Sequence, residues 1–401
     1  MLTTAEAREA ILDAMPVFAA TSISLNDSIG RILRQTVVAE RDQPPFDRVM
    51  MDGIALRYND LAGGRSEFPI QAMQAAGDAP LTLAEGRCIE IMTGASLPLD
   101  ADCIVPVEWI SVADGVAAIE TNYRAERRQF IHPRASDHAE GAELLVKGKK
   151  IAPADIAVIA SAGLTTVDVS ALPEIRVIST GNELVPPGDA IEPHQIRLSN
   201  GPAIQAMLRQ HGYGDCEHDH IADDRDVLLE RIARHLDDAN VLILSGGVSM
   251  GKADYVPGVL AELGVQIVFH KISQRPGKPM WFGVGPRDQA VFALPGNPVS
   301  ALVCCRQYLI PALESASSRL PRLPEFASLA AEVNFEPDLT CFQPVRLVSN
   351  AAGQVLAMPV KTNTSGDFTA LAETDGYVEL TREQKHFPAG SAVFLHRWHA
   401  D

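Results

Sequence analysis

Val241-Leu-Ile-Leu-Ser245-Gly246-Gly247-Val248-Ser249-Met250-Gly251-Lys252-Ala253-Asp254-Tyr255 decides the fold. The run Val241–Ser245 has no polar alternation, so it reads as a strand buried on both faces, the habit of parallel sheets covered by helices. Gly246 and Gly247 allow close backbone approach, Ser249 offers a hydroxyl, and N–H groups at a strand-to-helix turn can hold an anion. Gly246 to Lys252 spells the G-x-x-x-x-G-K of a phosphate loop. Ala253, however, stands where that motif needs Ser or Thr for magnesium, which excludes a P-loop NTPase.

Working outward, strand and helix patterns alternate between about 174 and 315. Arg176–Ser179, Val265–His270 and Ala290–Leu294 read as strands; Ala203–Gln210, Asp226–His235 and Val299–Leu313 read as helices. The alternation predicts a parallel sheet with helices on both faces, whose ligands gather at the carboxyl ends of its strands. Upstream, apolar spacing at Ala7, Ala10, Ile11, Ala14 and Met15 predicts a helix over about 5–20, and Ala152–Ala162 another, capped by Gly163. Between them, short runs at Gln35–Glu40, Ile54–Arg57, Cys88–Met92, Cys103–Val107 and Val116–Glu120 predict a β-rich region. After about 318 the helices stop. Leu329–Phe335, Val345–Val348, Val355–Met358, Tyr377–Leu380 and Ala392–His396 predict a small β-domain beyond the linker Pro321-Arg-Leu-Pro324.

The 401 residues suffice for several domains, and 46% apolar with 21% charged residues excludes whole-chain disorder. Thirty-four Lys and Arg against fifty-one Asp and Glu give −17, which argues against a general nucleic-acid binder. No apolar run reaches the roughly 18 residues of a membrane helix, and the first residues lack a secretion pattern. Six cysteines without a Cys-x-x-Cys pair point to a reduced, cytoplasmic protein, with Cys304-Cys305 packed as small hydrophobes.

Against that acidic background, His270-Lys271-Ile-Ser-Gln-Arg275-Pro276-Gly277-Lys278-Pro279 gathers cations after a strand, and its Pro-Gly turn suits anion binding better than plain solvation. Leu294-Pro295-Gly296-Asn297-Pro298-Val-Ser-Ala301 closes a strand and opens a helix, with Asn297 as cap and backbone lining a pocket. Glu183, in Ser179-Thr180-Gly181-Asn182-Glu183-Leu184, is placed to meet a cation or an N–H donor if it faces a cleft. Asp47 and Asp52 in Pro44–Gly53, and the Thr93-Gly94 turn, are unremarkable loops if read alone. His218-Asp219-His220 reads as surface polarity, because alternate residues on a strand are a weak metal signal.

Taken in order and spacing, Asp47–Ala55, Ile91–Ala95, Ser179–Leu184, Ser245–Tyr255, Arg275–Pro279 and Leu294–Ala301 resemble the molybdopterin molybdenumtransferases, the MoeA family that includes the gephyrin E-domain. Ser365-Gly366 and Glu373–Tyr377 are similar to the family's C-terminal pattern, so the resemblance covers nearly the whole chain. It implies a multidomain α/β plus β protein. The expected parts are a helical linking domain (1–21 and 140–172), a β-rich insertion (22–139), a three-layer α/β molybdopterin-binding domain (173–318) and a C-terminal β-barrel (319–401).

The resemblance also implies a cytoplasmic, homodimeric transferase that takes adenylylated molybdopterin and molybdate, inserts molybdenum at the dithiolene and releases AMP, with Mg2+ assisting. Asp52, Asp137, Asp223, Asp254, Lys271 and Arg275 are then the catalytic candidates, Asp223 and Asp254 also holding the metal. Thr93, Glu183, Ser245, Gly246, Gly247, Ser249, Lys278, Pro295, Asn297 and Pro298 are the substrate-binding candidates. Other molybdenum-cofactor biosynthesis proteins are implied as partners. The chain departs from the common pattern in Val49-Met50, in His132-Pro-Arg-Ala135-Ser136-Asp137 where Arg-x-x-Gly-Glu-Asp is common, and in Leu198-Ser199-Asn200 where Asp-Ser-Asn is common. Those departures leave a non-catalytic pterin-binding carrier as an alternative. A molybdopterin adenylyltransferase is a weaker one, since that reaction needs neither terminal part.

Overall fold

The computed structural model describes residues 1–214, 216–247, 255–364 and 366–399. Chain contacts divide it into two units, Met1–Gln35 with Lys147–Ala152 and Thr166–Asp401, and Thr36–Val146 with Pro153–Thr165.

The first unit is built on a six-stranded sheet in the order Glu217–Ile221, Ile175–Thr180, Val241–Ser245, Ala290–Leu294, Trp281–Val284, Gln266–His270. The first four strands are parallel. The expected all-parallel sheet needs correcting, because the last two run antiparallel. Trp281–Val284 turns the chain back through two short connections, leaving no room for a crossover helix. Successive strand residues face opposite layers. Val177, Ile243 and Phe292 pack with Ile204 and Leu208 of the Asn200–Gln210 helix. Ile178, Leu242 and Leu244 pack with Leu228 and Ile232 of the Arg225–Asp238 helix. Three layers result.

The N-terminal helix, Thr4–Ala14, begins in a reciprocal cap in which Thr3 Oγ1 accepts from the Glu6 N–H and Glu6 Oε2 accepts from the Thr3 N–H. It stops short of the expected 20 because Met15 is extended ahead of Pro16, as residues before proline prefer. The closing helix runs Pro298–Cys304 and Ile310–Ala316 with one π turn, Cys305–Leu309, between them. Pro311 has no N–H to donate, and the wider turn absorbs that loss. Cys304 and Cys305 are fully buried among apolar neighbours, as expected, and burial pushes the Cys305 thiol up to about 12.

Five C-terminal strands close into a barrel: Thr340–Ser349, Val355–Pro359, Glu325–Leu329, Ala392–Arg397 and Gly376–Leu380, the last pairing back to the first. Leu329, Val345, Ala357, Val378 and Leu395 fill it. The strand expected over Leu329–Phe335 is two pieces. Glu325–Leu329 enters the barrel, an exposed bend follows, and Val333–Asn334 pairs with His386–Phe387 instead. One helical turn, Phe368–Leu371, interrupts a region otherwise free of helix among the described residues.

The second unit carries a six-stranded sheet ordered Cys103–Pro106, Gly53–Leu56, Cys88–Ile91, Glu67–Gln74, Val116–Ile119, Ile110–Ala113, together with the Pro153–Ser161 helix. Among the described residues, no helix is long and apolar enough to cross a membrane.

Candidate active site

The carboxyl ends of Ile175–Thr180, Val241–Ser245 and Ala290–Leu294 open on a cleft of about 530 Å³. Glu183, Asp223, Ser245, Gly246, Gly247, Pro295, Asn297 and Pro298 all line it, as parallel-sheet topology predicts. Ser249 and Asp254 lie outside the described residues.

Gly246 and Gly247 have φ +101° and +63°. A Cβ on Gly246 would sit 2.5 Å from the Thr180 carbonyl, and one on Gly247 would sit 2.8 Å from Thr180 Oγ1, so only glycine lets these strand ends close. The Gly246 N–H points back to the Leu294 carbonyl at 3.4 Å, so it closes the turn and is not a donor toward the cleft. Thr180 is 3% exposed, and its Oγ1 has no hydrogen-bond partner among the described residues. Thr180 thus presents a buried hydroxyl behind the glycine turn.

Asn200, which no sequence motif marks as a site residue, ties two walls together. Its Nδ2 donates to Ser245 Oγ at 2.9 Å and to the Gly296 carbonyl at 2.7 Å. Asn297 holds the expected cap position of the Pro298–Cys304 helix, but its side chain makes no cap hydrogen bond and faces the cleft instead. Asp223 is half-buried, and its N–H donates to Asn182 Oδ1 at 3.0 Å.

His218-Asp219-His220 proves to be half-buried support, not surface polarity. His218 Nε2 meets Ser179 Oγ at 3.0 Å, and His220 Nε2 donates to the Gly181 carbonyl at 2.9 Å, two residues from Glu183. Burial draws the His218 imidazole below its ordinary value. Asp219 points to the opposite face, where Arg231 and His235 hold it. Alternation along a strand separates these three groups, and no cluster of three metal-ligating side chains forms among the described residues.

The expected cations do not enter this cleft. Arg275 and Lys278 line an adjoining cavity of about 640 Å³ together with Lys361, Gln343 and Thr362 of the barrel region, and Pro279 and Asn297 belong to both spaces. Lys271 lines neither. It is half-buried with φ +77°, and its N–H donates to the Met280 carbonyl, closing the loop that carries Arg275 and Lys278.

In the second unit, Asp52 Oδ1 accepts from the Thr93 hydroxyl and N–H, both at 2.6 Å. Those two bonds, the hydroxyl's first, hold the Asp52 carboxyl below the usual carboxylate range. The two-residue strand Arg48–Val49 organises the neighbourhood. Val49 exchanges backbone bonds with Ala95 and Gly94, each at 2.9 Å, and Arg48–Val49 pairs antiparallel with Ile131–His132. Asp137 meets His132 Nε2 at 3.1 Å, and His132 Nδ1 lies 2.9 Å from Arg48 Nη2.

Residues 2–163 match the MoeA N-terminal region (domain I and II), 176–315 a probable molybdopterin binding domain, and 327–397 the MoeA C-terminal region (domain IV). The molybdopterin molybdenumtransferase of Synechocystis is 38% identical over 99% of this chain and 100% of its own. That of Synechococcus elongatus is 33% identical over 92% and 93%. A molybdopterin biosynthesis MoeA protein from Pyrococcus horikoshii superposes with a TM-score of 0.83 at 27% identity over the full length of both chains.

Proposed function

The chain belongs to the molybdopterin molybdenumtransferase (MoeA) family, and we propose that it inserts molybdenum from molybdate into adenylylated molybdopterin, releasing AMP. It is a transferase of molybdenum-cofactor biosynthesis. The observation that carries the reading is the strand-end cleft, with its glycine turn and the carboxylates Glu183 and Asp223 among its lining residues.

Glu183 accepts from pterin N–H groups, and Thr180 backs the glycine turn that receives the pyrophosphate. Ser245, Gly246, Gly247, Pro295, Asn297 and Pro298 shape the walls around the nucleotide end, and Ser249 offers a further hydroxyl to the substrate. Arg275 and Lys278 draw molybdate, a tetrahedral dianion, into the adjoining cavity, where Asn297 and Pro279 border both spaces. Lys271 acts through the loop it closes. Asp223 on the cleft lining suits magnesium, which takes one or two acids and completes its shell with water and phosphate oxygens. Asp223, joined by Asp254, would hold it, and when bound it neutralises charge on the departing AMP.

Asp52 and Asp137, with Thr93, complete the site from a second copy of the chain, so the working form is a homodimer with two composite sites. Purified protein given adenylylated molybdopterin, molybdate and magnesium should release AMP. Asp52→Ala and Arg275→Ala proteins should each be nearly silent, and co-expressed heterodimers should regain activity through one intact site. Verified heterodimers as inactive as their folded parents would refute the shared site. A wild type that releases no AMP would refute the reaction.

A further inference from the structure

Asp137 lies on an exposed loop whose backbone is anchored, its N–H donating to the Gln43 carbonyl at 2.9 Å, while its carboxylate is 46% exposed. Backbone anchoring leaves such a side chain its rotamers. The carboxylate lies against His132. Arg48 has only donors, so its Nη2, 2.9 Å from His132 Nδ1, forces that nitrogen to accept. The ring proton must then sit on Nε2, which faces Asp137 Oδ1 at 3.1 Å. The order Arg48, His132, Asp137 thus turns the one ring N–H to the side on which the carboxylate lies, in close polar contact with it. Its first member sits on the strand that also holds the Thr93 turn, through Val49 and the bridge from Arg48 to Ser96. Asp137 and the Asp52–Thr93 pair are in this way referenced to the same two residues of backbone.

We propose that His132 is a positioning residue, locked by Arg48 in its Nε2–H tautomer, that holds the Asp137 carboxylate in the orientation the reaction uses. The role rests on the proposed use of Asp137 in molybdenum insertion. His132→Ala should lower kcat roughly tenfold to a hundredfold, the scale of a misplaced reacting group, with KM for molybdate and for the nucleotide unchanged. His132→Gln, whose amide nitrogen reaches about as far as Nε2, should recover most of it. His132→Ala combined with Asp137→Ala should be no slower than Asp137→Ala alone. In the resting wild type, a long-range proton–nitrogen NMR spectrum should show Nδ1 unprotonated, and Asp137→Ala should move the Nε2 resonance.

A wild-type kcat in His132→Ala beside an inactive Asp137→Ala overturns the positioning role and leaves the reaction standing. A wild-type kcat in Asp137→Ala overturns the use of Asp137 itself. If His132→Ala fails to fold, a protonated Nδ1 in the wild-type spectrum, or a His132→Gln protein as slow as Asp137→Ala, refutes the role independently.

Discussion

Gly277 sits in the basic turn between Arg275 and Lys278, buried, with φ +91°. An alanine there would place Cβ 2.4 Å from Cys304 Sγ and 2.6 Å from Gln274 Nε2. Neither neighbour can yield easily. Cys304 is fully buried in the closing helix, and Gln274 is 0% exposed, donating to the Pro276 carbonyl at 3.0 Å while its oxygen accepts from the Tyr308 hydroxyl. Left-handed backbone costs a non-glycine residue about 1–2 kcal/mol, and overpacking adds about 1–3 kcal/mol. Gly277→Ala should therefore cost about 2–5 kcal/mol. At about 2–4 °C per kcal/mol, the calorimetric transition of the α/β domain should fall by roughly 4–20 °C. Gly390→Ala is the control, because it too has positive φ (+86°) but no atom within 4 Å of the added carbon. It should show the backbone part alone. The turn also aims Arg275 and Lys278, so molybdate binding by equilibrium dialysis should weaken in Gly277→Ala and not in Gly390→Ala. Equal destabilisation in the two variants would refute the packing argument.

Asn200→Ala removes two neutral hydrogen bonds that join the Ser245 and Gly296 walls, about 2 kcal/mol together. Calorimetric affinity for the pterin nucleotide should drop roughly tenfold to thirtyfold, and an unchanged Kd would show that the walls do not need the tie. Thr93→Val deletes the hydroxyl bond to Asp52 and keeps the backbone one. Bonding to the ionised form lowers the Asp52 pKa, so the stability it lends is present above the ordinary aspartate range and lost as pH falls through the lowered value. Without the hydroxyl that loss should begin at higher pH, and the carboxyl 13C titration of Asp52 should shift upward; an unmoved midpoint would assign the lowering to the Thr93 N–H alone.

The three-layer domain was legible because its strands are apolar runs and its helices keep a 3.6-residue period, as in Val241–Ser245 and Arg225–Asp238. Trp281–Val284 escaped because four residues containing Gly283 after a proline look like turn, yet this strand reverses the sheet's direction. Glu67–Gln74 was hidden by Pro69 and by a register shift between Ile70 and Met73, both of which break the alternation that marks a strand. The barrel's closure rests on the pairing of Thr340–Ser349 with Gly376–Leu380, about thirty residues apart, which no local pattern encodes.

Site residues divide along the same physical line. Ser245, Gly246, Gly247, Pro295 and Asn297 directly follow or end apolar strands, so parallel-sheet topology alone sends them to one rim. Arg275 and Lys278 share a turn rigid enough to predict, but which cavity it faces depends on the barrel packed beside it. Asn200 and His220 act by reaching across to other strands' loops, and an Asn at a helix start or a His on a strand carries no mark of that reach. Arg48 and His132 are the extreme case, a two-residue pairing between segments more than eighty positions apart. A strand so short has no period to detect, and a single Arg–His–Asp chain has no spacing rule. Its polarity is nevertheless forced once the atoms are close, because guanidinium can only donate and carboxylate can only accept. The N-terminal acids therefore owe their geometry to two residues of backbone that look, in the sequence, like the tail of a loop.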